Sequence, residues 1–156
     1  MSVAFRRESD DEHMEPKFEI PLPPGPNWVT ARGMRMTRET VAELEAVDMT
    51  AMDEEAAKKH KRLLRYWRTR LATALEQPVP DGDAVAFGAC VTYRLNGQDK
   101  RVAIVGDDEA DPNAGRISFS SPLARAMMDA EVGETVDFAG KAEAIEILEI
   151  AAASAD

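Results

Sequence analysis

Hydrophobic spacing divides the chain into a region of helical period and a region of strand period. Val41, Leu44 and Val47 recur every three residues, and Thr37 followed by Glu39 and Thr40 supplies a cap, so a short helix is predicted to start near Thr37. Met49-Thr50 breaks that pattern, and Thr50 with Asp53 three residues on has the form of a capping box. From Met52 to about Glu76 there is no glycine or proline, and Ala56, His60, Leu63, Leu64, Trp67, Leu71 and Ala74 recur at threes and fours. This predicts the longest helix of the chain, about 37 Å at 1.5 Å per residue. Two helices with one apolar stripe each, joined by a short polar turn, bury those stripes by folding back on each other, so residues 31–77 are expected to form an antiparallel hairpin of coiled-coil type.

Pro78-Val79-Pro80-Asp81-Gly82-Asp83 ends the helix and reads as a linker over 78–83. Beyond it the period falls to two. Val85, Phe87, Val91 and Tyr93 predict a strand bent near Gly88, and Asn96-Gly97 is a two-residue hairpin signal leading into Arg101 to Val105. Gly106 to Gly115 reads as a loop, followed by a short strand from Ile117 to Phe119. Ser121 caps a helix that opens on Pro122, with Leu123, Ala126 and Met127 inward. Val132-Gly133-Glu134 turns the chain into strands at Thr135 to Phe138 and Ala144 to Ile150. The fold class is therefore α+β, with antiparallel strands and one short helix after the hairpin.

Ahead of the hairpin, residues 1–30 carry a charged opening and then four prolines within Pro21 to Pro26, which favour an extended arm without regular structure. Phe18, Ile20, Leu22 and Trp28 are the side chains able to lay its second half on a neighbouring surface. At 156 residues the chain accommodates one core of about 75 to 100 residues and a smaller element, not two large domains.

Charge sharpens this division. The arm carries 3 basic and 6 acidic residues, the hairpin 10 and 8, and residues 78–156 carry 6 and 15. The net charge of −10 opposes wrapping of duplex DNA by phosphate neutralisation and favours a protein partner. One cysteine, Cys90, allows no intrachain disulfide, and no stretch approaches about 20 apolar residues, so a cytoplasmic protein without a membrane span is expected.

Within residues 58–70 there are seven basic residues and no acid. Trp67 falls in the apolar stripe, which leaves Lys58, Lys59, Lys61, Arg62, Arg65 and Arg68 as a basic outer face, either solvated or in contact with acidic protein or RNA. His13 and His60 are too few and too distant to make a metal site with Cys90, which reads as a small buried strand residue. No catalytic residue, cofactor or metal is assigned.

Four stretches carry a more specific signal. They are Val85 to Thr92, Ile104 to Asp111, Ile117 to Ala126 and Val132 to Val136, and in this order and spacing they resemble the C-terminal, FKBP-like domain of the GreA/GreB transcription elongation factors. Val29-Thr30-Ala31-Arg32-Gly33 resembles the segment that opens the family's hairpin. The resemblance implies an FKBP-like domain over residues 84–156 that docks on the rim of the RNA polymerase secondary channel and directs a hairpin into it. Gly106, Asp107, Asp108, Glu109, Asp111, Ser121, Pro122 and Leu123 are then the candidate docking residues. Each has a plainer reading, as a solvated acidic turn or an ordinary helix start.

The family's cleavage-stimulating tip, Gly-Asp-Leu-x-Glu-Asn-Ala-Glu-Tyr, has no counterpart here, and the hairpin is shorter than the resemblance implies. Asp48, Asp53, Glu54 and Glu55 are the nearest substitutes, with Asp53, Glu54 and Glu55 the candidate acidic tip. A hairpin of about 30 Å from Glu55 to Leu75 stops short of the polymerase active site implied for longer relatives. The expectation is a monomeric, non-enzymatic polymerase-binding regulator akin to the nucleoside diphosphate kinase regulator type, reaching nucleic acid only through the elongation complex. The alternatives are a cleavage factor delivering Mg²⁺ and a general FKBP-like binding module.

Overall fold

A computed structural model describes residues 19–153; residues 1–18 and 154–156, including Phe18 and most of the charged opening, lie outside the described residues. The hairpin helices are α1, Ala31–Glu45, and α2, Glu54–Thr73. Helix α1 begins six residues before the predicted start because Thr30 is its cap, accepting from the Gly33 amide at 2.9 Å. Thr37 instead lies inside the helix, buried, with its hydroxyl donating to the Gly33 carbonyl at 2.8 Å. The first turn, Ala31-Arg32-Gly33-Met34, has no apolar stripe and so gave the period nothing to register. Val47 lies beyond the helix and is exposed.

The predicted capping box is also corrected. Asp53 itself caps α2 by accepting from the Ala56 amide at 2.8 Å, while the amide and hydroxyl of Thr50 both donate to Asp48. The far end of α2 stops at Thr73, and Leu75–Glu76 form a short strand, β2, paired in parallel with β1, Trp28–Val29. The end of the expected arm and the end of the expected helix thus become a two-stranded clasp at the hairpin base. Few apolar side chains are fully buried between the helices. The buried residues are Gly33, Thr37 and Val41 of α1 and His60 and Arg70 of α2, and His60 Nε2 lies 2.9 Å from the Leu44 carbonyl.

The remaining strands are β3, Ala89–Leu95; β4, Gln98–Val105; β5, Arg116–Ser118; β6, Thr135–Phe138; and β7, Lys141–Ala152. They form one sheet in the order β5-β4-β3-β7-β6. Asn96 and Gly97 both have positive φ, 54° and 75°, the geometry of a two-residue turn whose twist matches the strands it joins. Val85 to Gly88 stay outside the strand: Gly88, at φ 86°, turns the chain into β3. One pair departs from the antiparallel expectation. The loop after β4 carries the chain back over its own end, so β5 runs parallel to β4. Helix α3, Pro122–Met127, is capped by Ser121, which accepts from the Ala124 amide, and it buries Ala124 and Met127 while Leu123 and Ala126 are only half-buried.

Alternation along the strands sends Val91, Tyr93, Val102, Ile104, Ile145 and Ile147 to the face under α3, forming one core. Each fully buried Ile or Met there contributes about 1.5–3 kcal/mol relative to exposure. Gly106, just past β4, meets the hairpin base more tightly than any side chain would allow. A Cβ there would collide with the Trp28 carbonyl oxygen, a backbone atom that cannot rotate out of the way as a side chain could.

Gly106→Ala should therefore lower unfolding stability by about 2–4 kcal/mol in urea titration. Gly97→Ala, which meets no neighbour within 4 Å but holds φ at 75°, should lower it by about 1 kcal/mol.

Candidate functional site

The acidic loop following β4 is the joint between hairpin and sheet. Gly106 seats it against Trp28, whose ring stacks on Phe119 at 5.0 Å and meets the edge of Phe87 at 5.8 Å. Two carboxylates then reach different helices. Glu109, 6% exposed, accepts from the Thr30 hydroxyl at 2.6 Å and from Arg32 Nη1 at 3.0 Å. Gly33 makes room for it, since a Cβ at that position would fall 2.8 Å from Glu109 Oε1.

Asp108 faces α2. It accepts from the Tyr66 hydroxyl and from Arg70 Nε, each at 2.5 Å, in a pair whose side chains are 5% exposed for Arg70 and 10% for Asp108. Burial, reinforced by the hydrogen bond that the Tyr66 hydroxyl donates to the Asp108 carboxylate, pushes the Tyr66 hydroxyl well above its ordinary value of 10.0. Asn27 Nδ2 closes the arrangement from the arm side, donating to the Arg70 carbonyl at 2.8 Å and to Thr73 at 3.1 Å.

The candidate docking residues therefore divide. Asp108 and Glu109 point into the joint instead of forming a solvated turn, and Asp107 accepts from Ser118 and Ser120 on the loop's other flank. Asp111 is exposed, with Arg116 at 3.9 Å. Pro122 is exposed at the start of α3, beside Arg125, Asp137 and Phe138 in a shallow groove. Ser121 is committed to its cap. The two carboxylates at the joint were not legible as hairpin partners, although Tyr66 and Arg70, four apart on one helix face, were the available signal.

At the other end of the hairpin, the candidate tip lies at the start of α2, about 24 Å along the helix from Arg70 at 1.5 Å per residue. Asp48 is held below the ordinary carboxylate range by the two Thr50 bonds, the backbone one first. Asp53 caps α2, Glu54 lies 3.4 Å from Lys58, and Glu55 is exposed. Among the described residues no group of three His, Cys, Asp or Glu side chains could hold a metal ion. Along the basic face Lys58, Lys59 and Lys61 are exposed and Arg62 is half-buried. Arg68 pairs with Glu45 at 2.8 Å, and Arg65 with Glu19 at 2.6 Å, which holds the Glu19 carboxyl below its usual range.

The sheet-and-loop region decides the family. The family described as "Transcription elongation factor, GreA/GreB, C-term" matches residues 79–152. This C-terminal domain belongs to the GreA/GreB family. Transcription elongation factor GreA of Rhizobium etli is 41% identical over 86 residues, covering 53% of this chain and 54% of that relative. GreA of Caulobacter vibrioides is 48% identical over 73 residues, 44% of this chain and 46% of that relative. The chain thus spans about half the length of the curated relatives it matches. The GreA/GreB factor of Nitrosomonas europaea superposes with a TM-score of 0.39 at 14% identity, covering 81% of this chain and 98% of that one. GreA factor homolog 1 of Thermus thermophilus gives 0.37 at 18% identity, covering 81% and 99%. The acidic joint lies inside the GreA/GreB match, whereas the hairpin lies outside it.

Asp108→Ala strands Arg70 and Tyr66 and should lower stability by about 3 kcal/mol in urea titration, whereas Asp108→Leu with Arg70→Met and Tyr66→Phe should recover most of the loss. The raised Tyr66 value favours the folded state fully below pH 10.0 and progressively less as the hydroxyl ionises above it. The stability advantage of the parent over Tyr66→Phe should accordingly narrow above pH 10, measured by denaturation across pH 7 to 11.

Proposed function

We propose that this chain is a transcription elongation regulator that binds RNA polymerase at the rim of the secondary channel through its GreA/GreB-type domain. Its short hairpin occupies part of the channel without stimulating transcript cleavage. The family match of residues 79–152 supports the polymerase-binding half of this reading.

The state of the tip carries the other half. Mg²⁺ delivery needs carboxylate oxygens free to enter the metal's coordination shell. Here one oxygen of Asp48 is used by Thr50, one of Asp53 by the Ala56 amide, and Glu54 pairs with Lys58, while Glu55 is exposed; all four sit at or just before the start of α2, a helix of about 30 Å. Carboxylates that stabilise their own helix terminus are committed to that geometry. Docking falls to the exposed start of α3, with Ser121, Pro122 and Leu123, and to Asp111 at the loop edge, while Asp107, Asp108 and Glu109 act by holding the hairpin at its angle. The basic face of Lys58, Lys59, Lys61, Arg62, Arg65 and Arg68 lies along the part of the hairpin that enters the channel. The protein acts on the polymerase and is not itself an enzyme.

Immobilised protein should retain core RNA polymerase, and Pro122→Arg should weaken retention about tenfold, the effect of losing one central contact. Halted elongation complexes incubated with the protein and Mg²⁺ should keep their transcript length. Rapid release of short 3′ fragments, abolished by Glu55→Ala, would instead establish the cleavage-factor alternative.

A further inference from the structure

The sheet face opposite α3 bears a cavity of about 340 Å³ that the proposed function does not use. Strand alternation brings Cys90 of β3 and Arg101 and Ala103 of β4 to this face, and β5 adds Arg116 beside Ala103. Arg32 of α1 forms a further wall, already engaged with Glu109. Three guanidinium groups and no carboxylate line the cavity, in a chain whose net charge is −10. Such a concave patch concentrates positive potential against the prevailing sign of the protein.

The donors there are under-used. Arg116 Nε is buried with no hydrogen-bond partner, and Arg116 Nη2 lies 3.9 Å from Asp111 Oδ2, beyond hydrogen-bond reach. Arg101 spends Nε on the Cys90 sulfur at 3.0 Å; Glu149 acts on Arg101 from outside the cavity wall. An acceptor entering the cavity meets guanidinium groups from two strands, and hydrogen bonds to charged donors are the stronger kind.

We propose that this cavity binds the phosphate group of a small phosphorylated molecule. Arg101 and Arg116 approach from two strands, so their donors converge from different directions. A phosphate offers oxygens in three dimensions to such a pair, whereas a carboxylate presents two in one plane. The volume holds a phosphate and an organic remainder.

Cys90, the one cysteine of the chain, lines the cavity and reports on its occupancy. Alkylation of the full chain by iodoacetamide is followed by mass spectrometry with pyrophosphate, a nucleoside diphosphate, or sodium chloride at matched ionic strength. Both phosphate compounds should slow Cys90 alkylation in a saturable manner, and sodium chloride should not. Equal protection assigns recognition to the phosphate alone; stronger protection by the nucleoside diphosphate assigns part of it to the organic remainder. Arg116→Gln and Arg101→Gln should each raise the half-protecting concentration about tenfold, and Arg94→Gln, an exposed arginine held by Asp99 outside the cavity, should leave it unchanged. Arg101 is exposed, so its variant serves if Arg116→Gln does not fold. An alkylation rate that pyrophosphate leaves unaltered, or protection that survives both variants, overturns the proposal.

Discussion

Two carboxylates on one loop, Asp108 and Glu109, tie the hairpin to the sheet domain, and the geometry of everything beyond them follows from that tie. Charges of this kind are costly to remove from water, and a lone Asp108–Arg70 pair would recover little of the loss. What offsets it is a shared network of bonds, with the buried Asn27 Oδ1 left without a partner: Tyr66 and Arg70 share Asp108, Thr30 and Arg32 share Glu109, and Asn27 Nδ2 holds the Arg70 carbonyl. The network also discriminates among orientations, because a rotated hairpin would leave all of these groups buried and unpaired. Gly106 and Gly33 are part of the same constraint, since they let backbone and carboxylate approach where a methyl group could not fit.

This concentration of buried polar contact at the base contrasts with the rest of the hairpin. Toward the tip, α1 and α2 are joined through Val41, His60 and half-buried Leu63 and Leu64, with exposed ion pairs outside them. Exposed pairs contribute little, so local stability declines from the base outward. A stiff base with a looser end suits an element whose direction matters more than the placement of its last few atoms. The carboxylates at that end stabilise the turn and the start of α2, and this occupation, as much as the short reach, underlies the proposed role as an obstruction inside the polymerase.

The charge distribution adds a second division of labour. The sheet domain is strongly acidic while the hairpin carries a basic face, so partners of opposite chemistry are favoured at the two ends of one molecule. The cavity lined by Arg101 and Arg116 runs against the charge of its own domain. That reversal, together with an unpartnered buried Nε, separates it from an ordinary solvated surface.

Elements set by local chemistry were readable along the chain. Asn96-Gly97 dictates its hairpin because both residues accept positive φ, Ser121-Pro122 dictates a helix start, and the apolar periods of α2 and the strands distinguish helix from sheet. The family resemblance rested on the same segments. What escaped reading was decided between residues far apart in sequence: the clasp of Trp28–Val29 on Leu75–Glu76, the parallel pairing of β5, the early start of α1 under Thr30, and the inward turn of Asp108 and Glu109. An aspartate in a glycine-rich loop has the same local propensity whether it faces water or an arginine. Only the tertiary fold, by carrying Tyr66 and Arg70 to that loop across about 40 residues of chain, determined which it would be.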